Sequence, residues 1–387
     1  MTALAALAAF TGANASMQVG LAVAVVFAVM VSSFPALRHG LPLSSLCALG
    51  AAVFYGRAFV GFAIVNAVAY LTVRWLSRQS DPAVRWRRAS FALVGVIAVF
   101  TAGRLLHWDR WTMPAPLPVV LYSLEMWPVL RLVTLFWEVG SGATSAPSAS
   151  EFIAWVCLPL TLGGPLLRYS RYRAPAVVDR SLWVSPRWWL ELTVAGAKLA
   201  AGATLTAAQL MLAARWPLSH LVVSGTAALV TAPIGFYLTL AGFYELMETL
   251  GRPAGFALPE SFHAPIGREN ISAFWASWNM TATAVFRDYL FYNRWGLSHY
   301  NVYFNTLLLF TLVGLWHDAG AYWILWGLLH GLLFCTFMTW RRYRARIGHL
   351  PLQGTWAARR AAQIVTYVCV CACWYLPSKI LQKLGSL

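Results

Sequence analysis

The sequence predicts an all-α, polytopic membrane protein with about 9–11 transmembrane helices plus re-entrant or interfacial helices. Three observations lead to this fold class. The 387 residues are 59% hydrophobic and only 11% charged, a composition outside the usual soluble range. The 20 Trp and 15 Tyr residues suit aromatic belts at the headgroup level. Several nearly uncharged runs approach the ~20 residues that a spanning helix needs; they include Gly20–Leu37, Leu218–Gly242, Asn301–Trp316 and Ala321–Trp340.

The basic residues indicate which loops face the cytoplasm. A net charge of +16 could indicate a nucleic-acid partner, but no RNA- or DNA-binding motif accompanies it, and we expect no nucleic acid. The arginines instead cluster beside apolar runs, as in cytoplasmic loops next to anionic lipid. Three loops are therefore predicted to be cytoplasmic: Arg74–Arg88, Arg168–Arg187 and Arg341–Arg360. Membrane lipids are the expected partners of this charge.

The first half of the chain is predicted from its apolar runs. No Lys or Arg precedes Arg38, so Met1–Ser16 lacks the basic start of a secretory signal. We expect it to begin the first membrane helix, which continues to about Leu37. Further helices are predicted at Leu41–Tyr55, Phe59–Leu76, Ala89–Gly103 and Leu117–Trp137.

The segment Glu151–Leu167 is predicted to re-enter the membrane. An even number of crossings must separate two cytoplasmic loops, yet three apolar segments lie between the first two basic loops. Pro159 and Gly163–Pro165 make this segment our choice, because they break a helix in its last third.

The second half contains the core motif region, residues 242–340. Helices are predicted at Trp188–Ala213, Leu218–Leu240, Asn301–Trp316, Ala321–Trp340 and Ala361–Tyr375, with an interfacial or re-entrant helix at Asn270–Tyr289. Cys369, Cys371 and Cys373 are spaced to fan across different helix faces, so they are predicted to be packing residues. No metal site is expected. We interpret residues 1–387 as a single membrane-embedded domain.

Two polar positions stand out in this region. His330 lies in the middle of an apolar run, and Asn279 sits in an aromatic frame of Phe274, Trp275 and Trp278. An intramembrane titratable side chain is costly and often functional, and histidine suits proton transfer near neutral pH. A histidine hydrogen-bonded between two helices explains the same pattern without any catalytic role.

The order and spacing of the motifs resemble the membrane-bound O-acyltransferase family, in its bacterial polysaccharide-acetylating branch. The matching residues are Gly163–Tyr169, Gly251, Gly255–Phe256, Pro259–Glu260, Phe262, Pro265, Phe274–Trp275, Trp278, Arg287–Tyr289, Gly314, Trp316–His317, Trp326–Gly327 and His330–Gly331. The resemblance covers roughly Leu117 to Trp340. It implies helices around a central tunnel and a multi-pass protein of the bacterial inner membrane.

The resemblance also implies a reaction. An acyl group, acetyl or short, would move from a cytoplasmic thioester donor to a hydroxyl of an exported glycan or cell-envelope acceptor. The family's near-universal His falls on His330, the expected general base. Asn279 stands where the bacterial branch usually has a second His, and Asn there is typical of sterol, diacylglycerol and ghrelin acyltransferases. Its amide could donate to the oxyanion or fix the imidazole tautomer.

Further residues are expected to support the reaction. His317 would line an entrance, with a structural role at the membrane interface as the alternative. Arg287 and Asp288 would form a helix-end ion pair within reach of donor phosphates. Trp278 and Trp326 are further supporting candidates. Arg287, Arg341 and Arg342 are predicted to form a funnel for the anionic donor.

The expected co-substrate is an acyl-CoA or acyl-carrier thioester, with no permanently bound cofactor. Candidate partners are an extracytoplasmic accessory acyltransferase and an acyl carrier protein. Acylation of a lipid or a small hydroxylated metabolite is the alternative reaction. A polytopic transporter is the non-enzyme alternative, although the repeat-related broken segments typical of transporters are not evident in the sequence.

Overall fold

The computed structural model describes residues 3–56, 59–105, 117–174, 178–215, 221–291, 301–318, 320–348 and 355–384. Side chains are described for these residues except 3–14, 16, 103–105, 117–126, 210, 212–215 and 221–230. Most of the described residues are helical, and none of them lies in a strand. The predicted all-α class is therefore confirmed.

The helices alternate with short turns along the chain. The first group is α1 Ala3–Ser33, α2 Gly40–Tyr55, α3 Phe59–Ser77, α4 Pro82–Leu105, α5 Leu117–Ser141, α6 Ala149–Val156, α7 Tyr169–Tyr172, α8 Pro186–Arg215 and α9 Leu221–Gly251. The second group is α10 Ile271–Trp275, α11 Met280–Val285, α12 Val302–His317, α13 Ala321–Arg346 and α14 Trp356–Leu384. A π-helical turn, Phe286–Phe291, follows α11 directly.

Three of the described helices, α3, α13 and α14, are long and apolar enough to cross a membrane. Shorter apolar helices are Met17–Ser33, α2 and α12. Length and composition alone support these spans, and about 9–11 crossings remain a prediction.

The contacts group the chain into two compact units. Residues 1–215 and 236–260 form one unit, and residues 216–235 and 261–387 form the other. Every residue predicted to take part in the reaction lies in the second unit. The interpretation of the chain as one membrane domain stays a prediction.

The first basic segment is more helical than predicted. α3 continues through Arg74, and α4 begins at Pro82 rather than at Ala89. Asp81 explains the early start, because its carboxylate accepts a hydrogen bond from the Ala83 amide at 2.8 Å and caps the helix. Proline is also favoured in the first helical turn. Arg85 then donates to the Gly140 carbonyl at 3.2 Å, so part of this charge anchors α4 to α5.

The segment Glu151–Leu167 is broken as predicted, but earlier than in its last third. A capping box between Ser148 and Glu151 starts α6, which ends at Val156 because Pro159 cannot continue a helix. Arg131 on α5 is only 3% exposed and donates to the carbonyls of Val156 and Thr161. Its guanidinium thus supplies buried donors to backbone carbonyls on both sides of the break.

Several helix ends also differ from the prediction. α1 ends at Ser33 instead of Leu37, where Pro35 starts a short 3₁₀ turn. α9 extends beyond Leu240 to Gly251, carrying Glu245 to a 2.7 Å ion pair with Lys198 on α8. α13 runs past Trp340 to Arg346, and α14 spans Trp356–Leu384 rather than Ala361–Tyr375. Charged residues in the added turns of these helices pair with other residues or lie on an exposed face. Their charge therefore does not end the helices.

Candidate functional site

Glycines bring α12 and α13 into close contact. A Cβ added to Gly314 would overlap the Trp323 carbonyl, and one added to Gly327 would overlap the Phe310 carbonyl. Gly327 and Gly331 have the four-residue spacing of small residues that lets membrane helices approach closely. The result is that His330, between these two glycines, is held against the neighbouring helix.

His330 is fully buried in an aromatic box. Its ring centroid lies 4.5 Å from that of Trp326, 5.1 Å from that of Trp275 and 6.3 Å from that of Phe310. Its exposure is 0%. Trp326 comes from the preceding turn of α13, Phe310 from α12 and Trp275 from the end of α10. Three helices therefore define the position of one imidazole.

The box leaves polar atoms without protein partners. Both ring nitrogens of His330 and the Nε1 atoms of Trp275 and Trp326 are buried and make no hydrogen bond to the described part of the chain. Buried polar atoms in native proteins are nearly always hydrogen-bonded. A histidine that bonds one helix to another is thus not what the described residues form.

Asn279 lies at a sharp turn, where one continuous helix was predicted. The chain forms α10, then an irregular turn, then α11, because Asn279 adopts φ 41° and ψ 54° in the left-handed region. The turn is fixed by hydrogen bonds from the Met280 amide to the Ser261 carbonyl (2.7 Å) and from the His263 amide to the Ser277 carbonyl (3.0 Å). The prediction of a helix over Asn270–Tyr289 was wrong at this point. A helical apolar period carries no signal for a single left-handed residue.

Asn279 and His330 belong to neighbouring parts of the same aromatic cluster. Trp278, next to Asn279, stacks on Phe274, whose ring meets that of Trp275 edge to face. The Asn279 amide oxygen accepts a 3.5 Å hydrogen bond from the Thr281 hydroxyl. No hydrogen bond joins Asn279 to His330 in the described residues. Trp275, at the end of α10, is the residue of this region whose ring contacts the imidazole.

His317 lies at the other end of the cluster. Its ring stacks on that of Trp323 with centroids 4.6 Å apart and lies 5.5 Å from that of Trp326. His317 is half-buried, whereas His330 is fully buried. The two histidines thus share one indole as a neighbour.

The basic residues predicted to capture a donor occupy separate local settings. Arg287 pairs with Asp288 at 2.8 Å in the π-helical turn, and both side chains are partly exposed, as predicted for a helix-end ion pair. Arg342 lies over the ring of Tyr303 at 5.0 Å. Arg341 and Arg342 follow His330 by 11 and 12 residues on α13, about 17 Å along the axis. Their convergence on one ligand remains a prediction.

Two members of the site were missed as functional candidates. Trp275 and Phe310 both contact the imidazole, but the sequence pattern assigns Trp275 only to an aromatic frame and gives Phe310 no role. Phe310 precedes Gly314 by four residues and so shares its helix face, a spacing that could have identified it. Among the described residues, no three His, Cys, Asp or Glu side chains are grouped as metal ligands.

The sequence model of the membrane-bound O-acyltransferase family matches this chain over residues 67–376, which is most of its length. The chain belongs to this family. The match includes α10 to α13 and therefore the whole aromatic box of His330. The resemblance drawn from the motifs is thereby confirmed.

Several curated proteins similar to this chain are named for peptidoglycan, alginate or teichoic acid. The chain is 34% identical over 98 residues to the peptidoglycan O-acetyltransferase of Helicobacter pylori, covering 25% of this chain and 19% of that protein. It is 35% identical over 98 residues to a probable alginate O-acetylase of Pseudomonas putida, covering 25% and 20%. The teichoic acid D-alanyltransferase of Bacillus subtilis is 28% identical over 153 residues, covering 36% and 37%. The matched segment spans about a fifth of the length of the first two relatives.

Proposed function

We propose that this protein is a membrane-embedded O-acyltransferase that moves an acetyl or short acyl group from a thioester donor to a hydroxyl of an exported glycan or cell-envelope acceptor. The observation that carries the proposal is the setting of His330. The imidazole is fully buried in a member of this family, and neither nitrogen is hydrogen-bonded to the described chain. Both nitrogens are therefore free to serve a substrate.

The proposed chemistry is direct transfer. One nitrogen of neutral His330 accepts the proton of the acceptor hydroxyl as its oxygen attacks the thioester carbonyl. The carbonyl becomes an oxyanion, which collapses with cleavage of the carbon–sulfur bond. The imidazolium then returns the proton to the departing thiolate, so the enzyme ends unchanged. The sequence contains no activated-serine elbow, and no acyl-enzyme intermediate is required.

Asn279 has a supporting part in this proposal. An amide can donate to the oxyanion or orient the imidazole, and its position one residue from Trp278 keeps it in the same cluster. The Asn also favours a second acceptor class, a lipid or small hydroxylated metabolite, because it departs from the bacterial branch at this position. The named substrates of the relatives, peptidoglycan and alginate, favour a polymer.

The proposed location is the bacterial inner membrane, with several crossings. The donor, an acyl-CoA or an acyl carrier thioester, would approach from the cytoplasm, where such thioesters are made. The basic segments would lie on that side, and Arg287, Arg341 and Arg342 would attract the anionic donor. An accessory acyltransferase outside the cytoplasm would complete delivery to an exported polymer.

Two measurements test the proposal. Purified protein in lipid vesicles is supplied with acetyl-CoA, and thiol release is followed with and without an added acceptor. In parallel, ester-linked acyl groups on glycans and lipids are compared by mass spectrometry between cells with the protein and cells with His330→Ala. Loss of glycan esters in the variant supports the proposal, and loss from lipids alone supports the second acceptor class. Unchanged esters and no thiol release would overturn acyl transfer.

A further inference from the structure

The rings of Trp275, Trp326 and His330 contact one another, and each carries buried nitrogen atoms without a hydrogen bond to the described residues. The centroids of Trp275 and Trp326 are 5.9 Å apart, and both rings contact the imidazole. Trp326 is 1% exposed and His330 0%. Trp275 is half-buried as a residue, but its Nε1 atom is buried. Four buried nitrogens without partners in the described chain thus lie in one cluster.

The donor and acceptor character of these atoms specifies the ligand. An indole Nε1–H can only donate, and a neutral imidazole has one donor and one acceptor nitrogen. The cluster therefore offers three donors and one acceptor. Its best complement is a group with oxygen acceptors and a single hydroxyl proton. A thioester carbonyl beside an attacking hydroxyl has this composition: the hydroxyl donates to the imidazole, and the carbonyl oxygen accepts from the indoles.

We propose that the indole N–H groups of Trp326 and Trp275 bind the carbonyl oxygen of the acyl donor and stabilise its oxyanion. This proposal rests on the proposed function and assigns a role that Asn279 alone was expected to fill. Asn279 bonds to Thr281 and makes no hydrogen bond to His330, whereas both indoles contact the imidazole directly. Donors fixed in a dry site are worth more than in water, because they need no reorganisation as charge develops.

The packing explains how the two indoles are held in place. Trp326 also contacts Trp374 at 5.7 Å and Trp323 at 5.7 Å, and Trp275 contacts Phe310 at 5.2 Å. Rings packed on several sides retain their orientation. Preorganised donors of this kind stabilise a transition state more than a ground state.

The test removes each N–H with as little change of shape as the chain allows. Trp326→Phe and Trp275→Phe are assayed for acetyl transfer in vesicles, together with a Trp326 variant carrying 3-benzothienylalanine, in which sulfur replaces N–H. We expect kcat to fall about 10- to 1,000-fold in each, as for loss of one oxyanion donor, with the KM for acetyl-CoA little changed. Trp374→Phe is the comparison for packing, because it shrinks another indole that packs on Trp326. We expect its loss of kcat to be much smaller than that of Trp326→Phe, because both indole N–H donors remain.

The outcomes separate this inference from the proposed function. Suppose that the wild type is active, that His330→Ala is impaired and that both Trp→Phe variants have a normal kcat. That result would support the proposed acyltransferase function and contradict the role of the indoles as oxyanion donors. Normal activity of the benzothienyl variant would also contradict the donor role of Trp326, because it would show that only the shape of the ring matters. A loss in Trp374→Phe equal to that in Trp326→Phe would also assign the effect to packing. If the wild type transferred no acetyl group, the proposed function itself would be contradicted.

Discussion

The imidazole of His330 packs against the indole of Trp326, with ring centroids 4.5 Å apart and ring planes at 55°. The two residues are four apart on α13 and so share one helix face. The same indole contacts His317, 5.5 Å away between centroids. One tryptophan thus links a fully buried histidine to a half-buried one, and mutations at the three positions should have graded effects.

The strongest effect is expected from His330→Ala. Loss of a general base typically lowers turnover ~100- to 10,000-fold, and the folded variant should still bind the donor. Turnover per folded molecule is measured beside a melting curve. A variant with normal turnover but lower thermal stability would show that His330 is a packing residue and would end its assignment as the base.

His317→Ala should be milder than His330→Ala. His317 contacts Trp326 and Trp323 but is half-buried, as expected for a residue that lines an entrance. We expect a change mainly in KM, because substrate entry is affected before the chemical step. Initial rates over a range of donor concentrations check this. A kcat as low as that of His330→Ala would move His317 into the proton-transfer chemistry.

The left-handed backbone conformation of Asn279 decides which substitutions test its amide. At φ 41°, an alanine would carry the left-handed penalty of about 1–2 kcal/mol, whereas glycine would not. Asn279→Gly should therefore fold well and lose only the amide, with turnover down ~10- to 1,000-fold if that amide is an oxyanion donor. Asn279→Ala should melt at a lower temperature than Asn279→Gly at similar turnover. Equal melting temperatures would contradict the strain argument.

A second comparison at this position uses histidine. Asn and His are both enriched at positive φ, so Asn279→His should preserve this turn and melt at a temperature close to that of the wild type.

The double variant Asn279→Gly/His330→Ala tests whether the two residues act together. Its loss of turnover should be smaller than the product of the two single losses, because both residues are proposed to act on one transition state. Strictly multiplicative losses would place Asn279 outside that transition state.

Donor capture by Arg341 and Arg342 should depend on salt. Both side chains are exposed, and the Debye length falls from about 10 Å at 0.1 M to about 3 Å at 1 M salt. We expect kcat/KM for acetyl-CoA to fall with salt, and to fall less in Arg341→Gln/Arg342→Gln. Arg359→Gln/Arg360→Gln, which also removes two exposed arginines but on α14, is the control for net charge. A rate flat in salt for the wild type would exclude electrostatic capture.

The three basic segments should be accessible from the cytoplasm. Single cysteines at Ser80, Ser181 and Ile347, all exposed, are labelled with a membrane-impermeant maleimide in intact cells and in inverted vesicles. All three should react in inverted vesicles only. Labelling at Ser80 or Ser181 in intact cells would invalidate the re-entrant assignment of Glu151–Leu167, which depends on the first two basic loops. Labelling at Ile347 in intact cells would contradict the cytoplasmic prediction for the third.

Helix content and the buried histidine were predictable because both depend on local patterns. Apolar runs of sufficient length predict helices without knowledge of their neighbours, and a histidine in such a run is conspicuous by its cost. Helix ends were less predictable. α9 continues to Gly251 because Glu245 meets Lys198 on α8, a contact between residues 47 apart. α4 starts early because Asp81 caps it, a cue present in the sequence.

By itself, the sequence determined the all-α class, the broken segment at Pro159, and the motif residues that place the chain in its family. Only the tertiary structure decided which side chains surround His330. Trp275, Phe310 and Trp326 come from three helices, and the close approach of α12 and α13 through Gly314, Gly327 and Gly331 brings two of those helices together. The left-handed turn at Asn279 likewise depends on hydrogen bonds to Ser261 and His263, many residues away. Periodicity records which face of a helix is apolar, but the partner of that face is selected by packing of the folded chain.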